Sequence, residues 1–255
     1  MKRLLFCISY NGASYHGWQV QENSLTVQKV VQDAIQKVTG FRNDIVACSR
    51  TDAGVHANNF YFHMDSQLDI TPSNMRRAVS GNLPFDIEIK SVLEVDPFFH
   101  ARYCAKAKEY IYKIWNSKIR NPFLNNLVWT YYRRLDLDKV NQTLKYFIGE
   151  HDFTSFCSAK SDIINKKRNI YSIEIVKNDD ILEFRFVGDG FLHNMVRIIV
   201  GTLINVSEGL ILPEDIENII KKRDRRAAGR TAPPQGLYLN NVIYDDLKIN
   251  RKCSK

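Results

Sequence analysis

The order in which strand-like and helix-like patterns follow one another is the feature that most limits the fold of this chain. Apolar residues recur at helical spacing over 26–39, with Thr26 placed as the N-cap and Gly40 as the stop, and Thr71-Pro72 opens a second helix that runs to Ser80. Strand patterns cover residues 2–10, 44–48, 59–65 and 86–95. The resulting order, β-α-β-β-α-β, predicts a split βαβ arrangement with an antiparallel sheet.

The second half of the chain has a similar order of strands and helices, although its amino-acid sequence does not repeat that of the first half. Strand patterns cover 105–115, 169–177, 181–187 and 237–245, and helix patterns cover 137–148, 190–207 and a shorter stretch from Pro213. We predict an α+β fold of two ferredoxin-like halves with antiparallel sheets, joined side by side around a central cleft. The N-terminal half would be 1–104 and the C-terminal half 105–255.

The charge balance favours a polyanionic partner. The chain of 255 residues carries 36 Lys and Arg against 28 Asp and Glu, a formal net charge of +8, and 25% of its residues are charged. Basic residues cluster in 166–168 and 221–226. Nucleic acid is the simplest partner for such a surface, although either cluster alone is also typical of a solvated helix end.

Cysteine usage and hydropathy indicate a cytoplasmic protein. Five cysteines stand at wide spacings without a Cys-x-x-Cys pair, namely Cys7, Cys48, Cys104, Cys157 and Cys253. This pattern supports neither a disulfide framework nor a structural zinc site. The apolar run near the N-terminus is too short for a signal peptide, and the most apolar region, 191–206, contains His193 and Arg197, so we expect no membrane segment.

A single carboxylate, Asp52, stands in a small, polar and glycine-containing stretch between two strand patterns. Arg50 precedes it by two residues. A loop fixed by two strands is a rigid platform for a reactive side chain, but an aspartate there can equally cap its own turn. Both interpretations stay open on loop chemistry alone.

Other catalytic classes lack their motifs. The histidines are scattered, so several convergent metal ligands are not expected, and neither a Gly-x-Ser-x-Gly elbow nor a P-loop occurs. Gly188-Asp-Gly190 lacks the third glycine of a dinucleotide site. A lone carboxylate with cationic neighbours suits an ionised nucleophile that works without a metal or a cofactor.

Two further residues are candidates for the same site. Arg197 is a cation on an otherwise apolar helix, where it either extends outward to solvent or pairs with a carboxylate such as Asp52. Tyr110 lies on a strand, where a tyrosine is usually part of the core but can also stack under an extruded base.

Together these motifs resemble the tRNA pseudouridine synthase A family. The segment Ser49-Arg-Thr-Asp-Ala-Gly-Val-His-Ala57 is similar to the family signature, and the likeness extends along nearly the whole chain. The other matching segments are Tyr15–Gln19, Phe99–Arg102, Lys108–Tyr110, His151–Phe156, Phe191–Arg197 and Thr231–Leu239.

The resemblance implies a pseudouridine synthase fold and a role for each candidate. Asp52 matches the catalytic nucleophile, and Arg50 the arginine that helps to extrude and place the target nucleotide. Tyr110 matches the tyrosine that stacks on the target base, and Arg197 the arginine that pairs with the catalytic carboxylate. The family isomerises uridine to pseudouridine at positions 38, 39 and 40 of the tRNA anticodon stem-loop. It does so as a homodimer, without a metal or a cofactor.

The chain departs from the family pattern at several positions. Ser49 stands where glycine is usual, Asn58, Asn59 and Phe60 follow the signature where a glycine and a glutamine are common, and Arg230 replaces a common proline. None of these changes removes a catalytic group. Because Ser49 and Phe60 flank the reactive loop, they leave the preference among adjacent uridines open.

The competing hypothesis is a non-catalytic RNA-binding protein with two RRM-like halves. The order of elements and the basic charge fit that hypothesis. The aromatic RNP1 run that such domains use is absent from the sequence.

Overall fold

The computed structural model describes residues 1–245, so Cys253 lies outside the described residues. Two compact units make up the chain: Met1–Lys108 together with the segment that begins at Leu239, and Glu109–Tyr238. The predicted halves 1–104 and 105–255 stay a prediction, and these units differ from them mainly at the last strand. A strand is grouped with the strands that it pairs with, and chain order does not reveal that pairing.

The first unit has the predicted order of elements. Its strands are β1 (Lys2–Tyr10), β2 (Val46–Ala47), β3 (His56–Ser66) and β4 (Ile87–Val95), and its helices are α1 (Val27–Thr39) and α2 (Pro72–Ser80). The strand β1 pairs antiparallel with both β3 and β4. The last strand of the chain, β10 (Leu237–Tyr244), lies beside β3, which gives the order β4-β1-β3-β10.

Local sequence signals account for both helices of this unit. Gly40 ends α1 with a left-handed backbone (φ +83°), and its N–H donates to the carbonyl oxygen of Gln36. The hydroxyl of Thr71 accepts a hydrogen bond from the backbone N–H of Asn74 and so caps α2. Thr26 occupies the N-cap position of α1 without a capping bond from its side chain.

Aromatic rings fill the core of the first unit. Phe6 on β1 and Phe62 on β3 stack at 4.7 Å between ring centroids. Trp18, which is 2% exposed, packs on Phe60 at 4.1 Å. Burial of rings of this size contributes a large part of a domain's stability, so this cluster gives the loops around it a rigid base.

The second unit contains antiparallel strands of its own. After β5 (Ala105–Trp115), which begins in the first unit, come the strands β6 (Trp129–Thr130), β7 (Gly149–Asp152), β8 (Lys167–Asn178) and β9 (Ile181–Gly188). Their order is β5-β9-β8-β7, with β6 parallel to β5. The helices are α3 (Leu137–Leu144), α4 (Met195–Ser207) and α5 (Asp215–Lys222).

Three predicted boundaries were wrong. The helix predicted over 190–207 begins only at Met195, because Asn194 has a left-handed backbone (φ 63°) and turns the chain just before it. The helix predicted over 137–148 ends at Leu144 and continues as a 3-10 turn over Lys145–Phe147. The strand predicted over 44–48 is reduced to Val46–Ala47.

The predicted fold class, α+β with antiparallel sheets, is confirmed in both units. The helix α4 is apolar and almost entirely buried, in keeping with a helix at the centre of its unit. Within residues 1–245, none of the helices has the length and the apolar character needed to span a membrane.

Candidate active site

Asp52 lies in the loop between β2 and β3, over residues 48–55, which we call the Asp52 loop. The backbone N–H of Val55 donates to the carbonyl oxygen of Asp52 at 3.1 Å, and Gly54 has φ +75°. A main-chain hydrogen bond thus closes the turn. The side chain of Asp52 is half-buried.

The early motif Tyr15–Gln19 holds this loop through its main chain. The N–H of Trp18 donates to the carbonyl oxygen of Thr51, and the N–H of Gly54 donates to the carbonyl oxygen of Tyr15, both at 3.1 Å. Gly17 (φ +80°) lies so close that a Cβ there would be 2.4 Å from the Thr51 carbonyl oxygen. The sequence motif therefore has a structural role: it fixes the backbone on both sides of Asp52.

Side chains add further contacts to the same loop. The hydroxyls of Tyr10 and Thr51 are 2.8 Å apart, within hydrogen-bonding distance. The buried ring of His56 accepts a hydrogen bond on Nδ1 from the backbone N–H of Gly12 at 3.0 Å. Because these groups are buried, their hydrogen bonds are costly to break, and the loop is held in one conformation.

Lys108 contacts the start of the loop, a contact that the sequence did not predict. Its ammonium donates to the carbonyl oxygen of Cys48 at 2.9 Å, and the N–H of Cys48 donates to the carbonyl oxygen of Tyr61 at 2.8 Å. Burial raises the pKa of the Cys48 thiol to about 11, so this thiol stays protonated near neutral pH. Cys48 is therefore a packing residue, and Lys108 positions the loop.

Arg50 and Tyr110 differ in exposure. Arg50 lies on the Asp52 loop with its side chain exposed. Tyr110 lies on β5 and is only 6% exposed, and its ring packs edge to face on Phe191 with 5.1 Å between centroids. The ring of Tyr110 is thus held by a residue of the Phe191–Arg197 motif.

Arg197 lies in the first turn of α4 and is held by that motif and by the segment that follows α5. Its Nη1 donates to Oδ1 of Asn194 at 2.6 Å, and its Nε donates to the carbonyl oxygen of Ala232 at 2.7 Å. The Ala232 N–H returns a hydrogen bond to the Arg197 carbonyl oxygen at 3.0 Å. Such hydrogen bonds stabilise a half-buried cation, and the pairing of Arg197 with Asp52 stays a prediction.

The departure at Arg230 has a local explanation in the second unit. Its guanidinium lies 5.3 Å from the centre of the Trp129 ring and 3.9 Å from the carboxylate of Glu208. The backbone of Arg230 approaches α4 closely, since a Cβ on Gly201 would be 1.8 Å from the Arg230 carbonyl oxygen. An arginine therefore fits where the family often has proline.

The basic run 221–226 is partly neutralised by its neighbours. Three of its cations form ion pairs: Lys221 with Glu217 at 2.7 Å, Arg223 with Asp152 at 3.1 Å and Arg226 with Asp224 at 2.8 Å. Such pairs lower the net positive charge that the run offers to a phosphate backbone.

The four predicted site residues are divided between the units. Asp52 and Arg50 belong to the first unit, and Tyr110 and Arg197 to the second. Over residues 1–245 no group of three or more His, Cys, Asp or Glu side chains is arranged to hold a metal ion. The first unit thus carries a carboxylate on a rigid loop, and the second carries an arginine and a tyrosine that are held by their neighbours.

The chain matches a known protein family along most of its length. A family model described as tRNA pseudouridine synthase matches residues 6–104 and 143–245, which include Asp52, Arg50 and Arg197. The chain belongs to the tRNA pseudouridine synthase family, as the resemblance of its motifs predicted.

Curated relatives match over nearly the full length of the chain. A protein of Geobacillus sp. (strain WCH70) named tRNA pseudouridine synthase A is 44% identical over 246 residues, which are 96% of this chain and 99% of that protein. One of the same name from Listeria monocytogenes serotype 4b is 45% identical over 96% of this chain and 100% of its own length. A Bacillus cereus protein named tRNA pseudouridine synthase A 1 is 43% identical, again over 96% and 100%.

Proposed function

We propose that this chain isomerises uridine to pseudouridine in the anticodon stem-loop of tRNA, at positions 38, 39 and 40. The observation that carries the proposal is the Asp52 loop: main-chain hydrogen bonds hold the signature aspartate from both sides, in a chain that matches the family model over most of its length. A rigid loop of this kind is what a reactive carboxylate needs.

The reaction replaces an N–C glycosidic bond by a C–C bond on the same uracil. The bond from the ribose to N1 breaks, a bond from the ribose to C5 forms, C5 loses its proton and N1 gains one. Substrate and product are isomers, so the chemistry requires no co-substrate, and we propose that the enzyme uses neither a metal nor a cofactor. The protein must detach, rotate and rejoin the base without releasing it.

The target uridine must first leave its stack, which costs a few kcal/mol. We propose that Arg50 offsets part of this cost by contacting the phosphate backbone and placing the extruded nucleotide. Tyr110 would provide the face on which the target base stacks. Its ring is already held by Phe191, so little conformational entropy is lost when the base binds.

Asp52 then acts as the nucleophile or as the base that moves a proton. We propose that Arg197 pairs with its carboxylate, because a cation at close range favours the charged form. The bonds from Arg197 to Asn194 and Ala232 support this role, since a guanidinium fixed in this way loses little freedom when it forms an ion pair. Attack on the ribose and attack on the base are both compatible with this arrangement.

The proposed partners follow the family. We propose a cytoplasmic homodimer with tRNA as the substrate. The competing hypothesis of a non-catalytic, tandem RRM-like protein predicts binding without isomerisation, so one assay separates the two: incubate unmodified tRNA with the protein alone and map pseudouridine at each anticodon-stem position.

Asp52→Asn tests the catalytic assignment. The substitution removes the charge but little volume, so isomerisation should fall by at least about 1000-fold while tRNA affinity stays within about threefold of the native value. Asp44→Asn is the matched control, because Asp44 is an exposed aspartate that precedes β2 in the same unit. Turnover retained in Asp52→Asn would contradict the nucleophile assignment.

A further inference from the structure

The segment 96–104, between β4 and β5, presents two aromatic side chains to solvent, and we call it the aromatic loop. Phe98 is 90% exposed and Tyr103 is 76% exposed. Exposed rings of this size lose the stabilisation that burial would give them, so their position needs a reason beyond packing. None of the roles proposed above uses this loop.

Hydrogen bonds with side chains of the first unit fix the backbone of the aromatic loop. Nη1 of Arg3 donates to the carbonyl oxygen of Phe99 at 3.0 Å, and the hydroxyl of Tyr244 donates to the carbonyl oxygen of Ala101 at 2.6 Å. Nδ1 of His63 accepts the N–H of Ala101 at 3.1 Å. The exposed rings are therefore carried by a rigid support, as a preformed binding surface requires.

Tyr103 is already part of a short stack. Its ring lies 4.2 Å from that of His100, at 31° between the planes. Nδ1 of His100 accepts the N–H groups of both Arg102 and Tyr103, at 3.1 and 3.2 Å, which holds the two rings together. Burial, with the nearby charges of Arg3 and Arg102, lowers the pKa of His100, so the imidazole stacks as a neutral ring.

The charges around these rings favour an anionic partner. Arg102 and Lys106 are exposed, and the guanidinium carbon of Arg102 lies 5.9 Å from the centre of the Tyr103 ring. The neighbouring carboxylates are engaged: Asp65 accepts two hydrogen bonds from Arg3 at 2.7 Å, and Asp96 accepts the N–H of Phe98 at 2.8 Å. A ring beside an exposed cation is the combination that proteins use to bind single-stranded nucleic acid.

The aromatic loop and the Asp52 loop are supported by the same strand of the first unit. The backbone N–H of Val55, which bonds to the carbonyl oxygen of Asp52, directly precedes β3, whereas His63, which supports the aromatic loop, lies seven residues after the start of that strand. Seven residues of a strand span about 23 Å. An RNA that places a uridine at Asp52 can therefore reach this surface with nucleotides several positions away from the target.

We propose that the aromatic loop is a second stacking surface for the RNA substrate, where Tyr103 stacks on an unpaired base several nucleotides from the target and Arg102 contacts a phosphate. The inference rests on the proposed function, and it differs from the stacking role of Tyr110, which concerns the target base itself. A protein partner is the alternative occupant, and the test separates the two.

Tyr103→Ala should weaken the binding of an anticodon stem-loop RNA about tenfold, and raise KM to the same degree, because one base loses its stacking partner. The value of kcat should stay within about twofold, since the loop does not touch the reacting atoms. Tyr103→Phe keeps the ring and should bind like the native protein. Arg102→Gln should lower the dependence of affinity on salt by about one phosphate contact.

Phe41→Ala is the matched control. Phe41 is an exposed aromatic of the same unit, 42% accessible, and it follows α1 about 20 Å from the start of that helix near Trp18. Its loss should leave RNA affinity unchanged. Equal affinities for Tyr103→Ala and Phe41→Ala would overturn the inference, as would a change in oligomeric mass without a change in RNA affinity, which would assign the surface to a protein contact. If the native protein isomerises no uridine, the proposed function fails instead, and the RNA-binding measurement still decides on the aromatic loop.

Discussion

Replacement of Gly17 by alanine tests whether the early motif sets the position of Asp52. Gly17 has φ +80°, and an added Cβ would lie 2.4 Å from the carbonyl oxygen of Thr51 and 3.1 Å from the carbonyl carbon of Asp52. Both neighbours are main-chain atoms, so a side-chain rotation cannot relieve the contact. The backbone of the Asp52 loop has to move.

The size of the effect follows from these distances. Ordinary contact between the two atoms requires about 3.5 Å, so the loop must shift by about 1 Å. A displacement of this size at a reacting group costs about 100-fold in rate. The left-handed backbone adds a separate cost of about 1–2 kcal/mol in the free energy of unfolding, which any alanine in that conformation has to meet.

Gly40→Ala is the control that separates the loss of rate, caused by displacement of the loop, from the loss of stability, caused by the left-handed backbone. Gly40 has φ +83°, but an added Cβ there meets no atom within 4 Å. Both variants should lose about 2–8 °C of melting temperature from the backbone cost alone, while only Gly17→Ala should lose about 100-fold in kcat. Turnover can be followed as tritium released from tRNA that carries 5-tritiated uridine, because C5 loses its hydrogen in the reaction. Equal values of kcat in Gly17→Ala and Gly40→Ala would refute the reasoning.

Two further predictions concern side chains of the first unit. Lys108→Met removes the ammonium from the Cys48 carbonyl and should lower kcat about tenfold with KM within about twofold. Lys37→Met, at an exposed lysine in the last turn of α1, should leave kcat unchanged, and similar kcat values for the two variants in steady-state assays would contradict the positioning role. Burial, with the charge of Arg3, lowers the pKa of His63 to about 4. In the unfolded state the pKa of this imidazole is about 6.5, so the unfolded chain binds a proton first as the pH falls. The free energy of unfolding should therefore drop by about 2 kcal/mol between pH 6.5 and 4. Urea unfolding should show a weaker drop for His63→Gln, and parallel pH curves would speak against this assignment.

The helices of the first unit could be predicted because their signals are local. A helix buries residues that recur every three or four positions, and its ends carry caps such as Thr71 and Gly40, so a short window of sequence contains the information. The start of α4 could not be placed in the same way. The left-handed backbone of Asn194 leaves no mark in the apolar pattern of 190–207.

The grouping of β10 with the first unit depends on contacts between residues far apart in sequence. Its pattern predicted a strand over 237–245, and the strand is present, but no local signal indicates which strand lies beside it. The contact between Lys108 and Cys48 was missed for the same reason. The motif Lys108–Tyr110 includes this lysine, but no local pattern indicates that its side chain contacts the Cys48 carbonyl.

The candidate site was found through its motifs, and the structure explains what those motifs support. Asp52, Arg50, Tyr110 and Arg197 were assigned by resemblance to a family, and their catalytic roles stay predictions. The structure does show which residues hold Tyr110 and Arg197 in place. The contact of Tyr110 with Phe191, and the bonds of Arg197 to Asn194 and Ala232, join three motifs that are distant in sequence into one support.

Phe60, one of the positions that depart from the family pattern, influences the Asp52 loop through the core of the first unit. Its ring is fully buried, 4.1 Å from Trp18 and 5.6 Å from Tyr10 between centroids. Trp18 and Tyr10 are the residues that hold Thr51, through a main-chain bond and a hydroxyl contact respectively. A residue at position 60 therefore affects substrate binding only indirectly, through the packing that determines the position of the Asp52 loop. A preference among adjacent uridines that is particular to this chain has to arise at exposed positions instead, and Arg50 on the Asp52 loop is one of them.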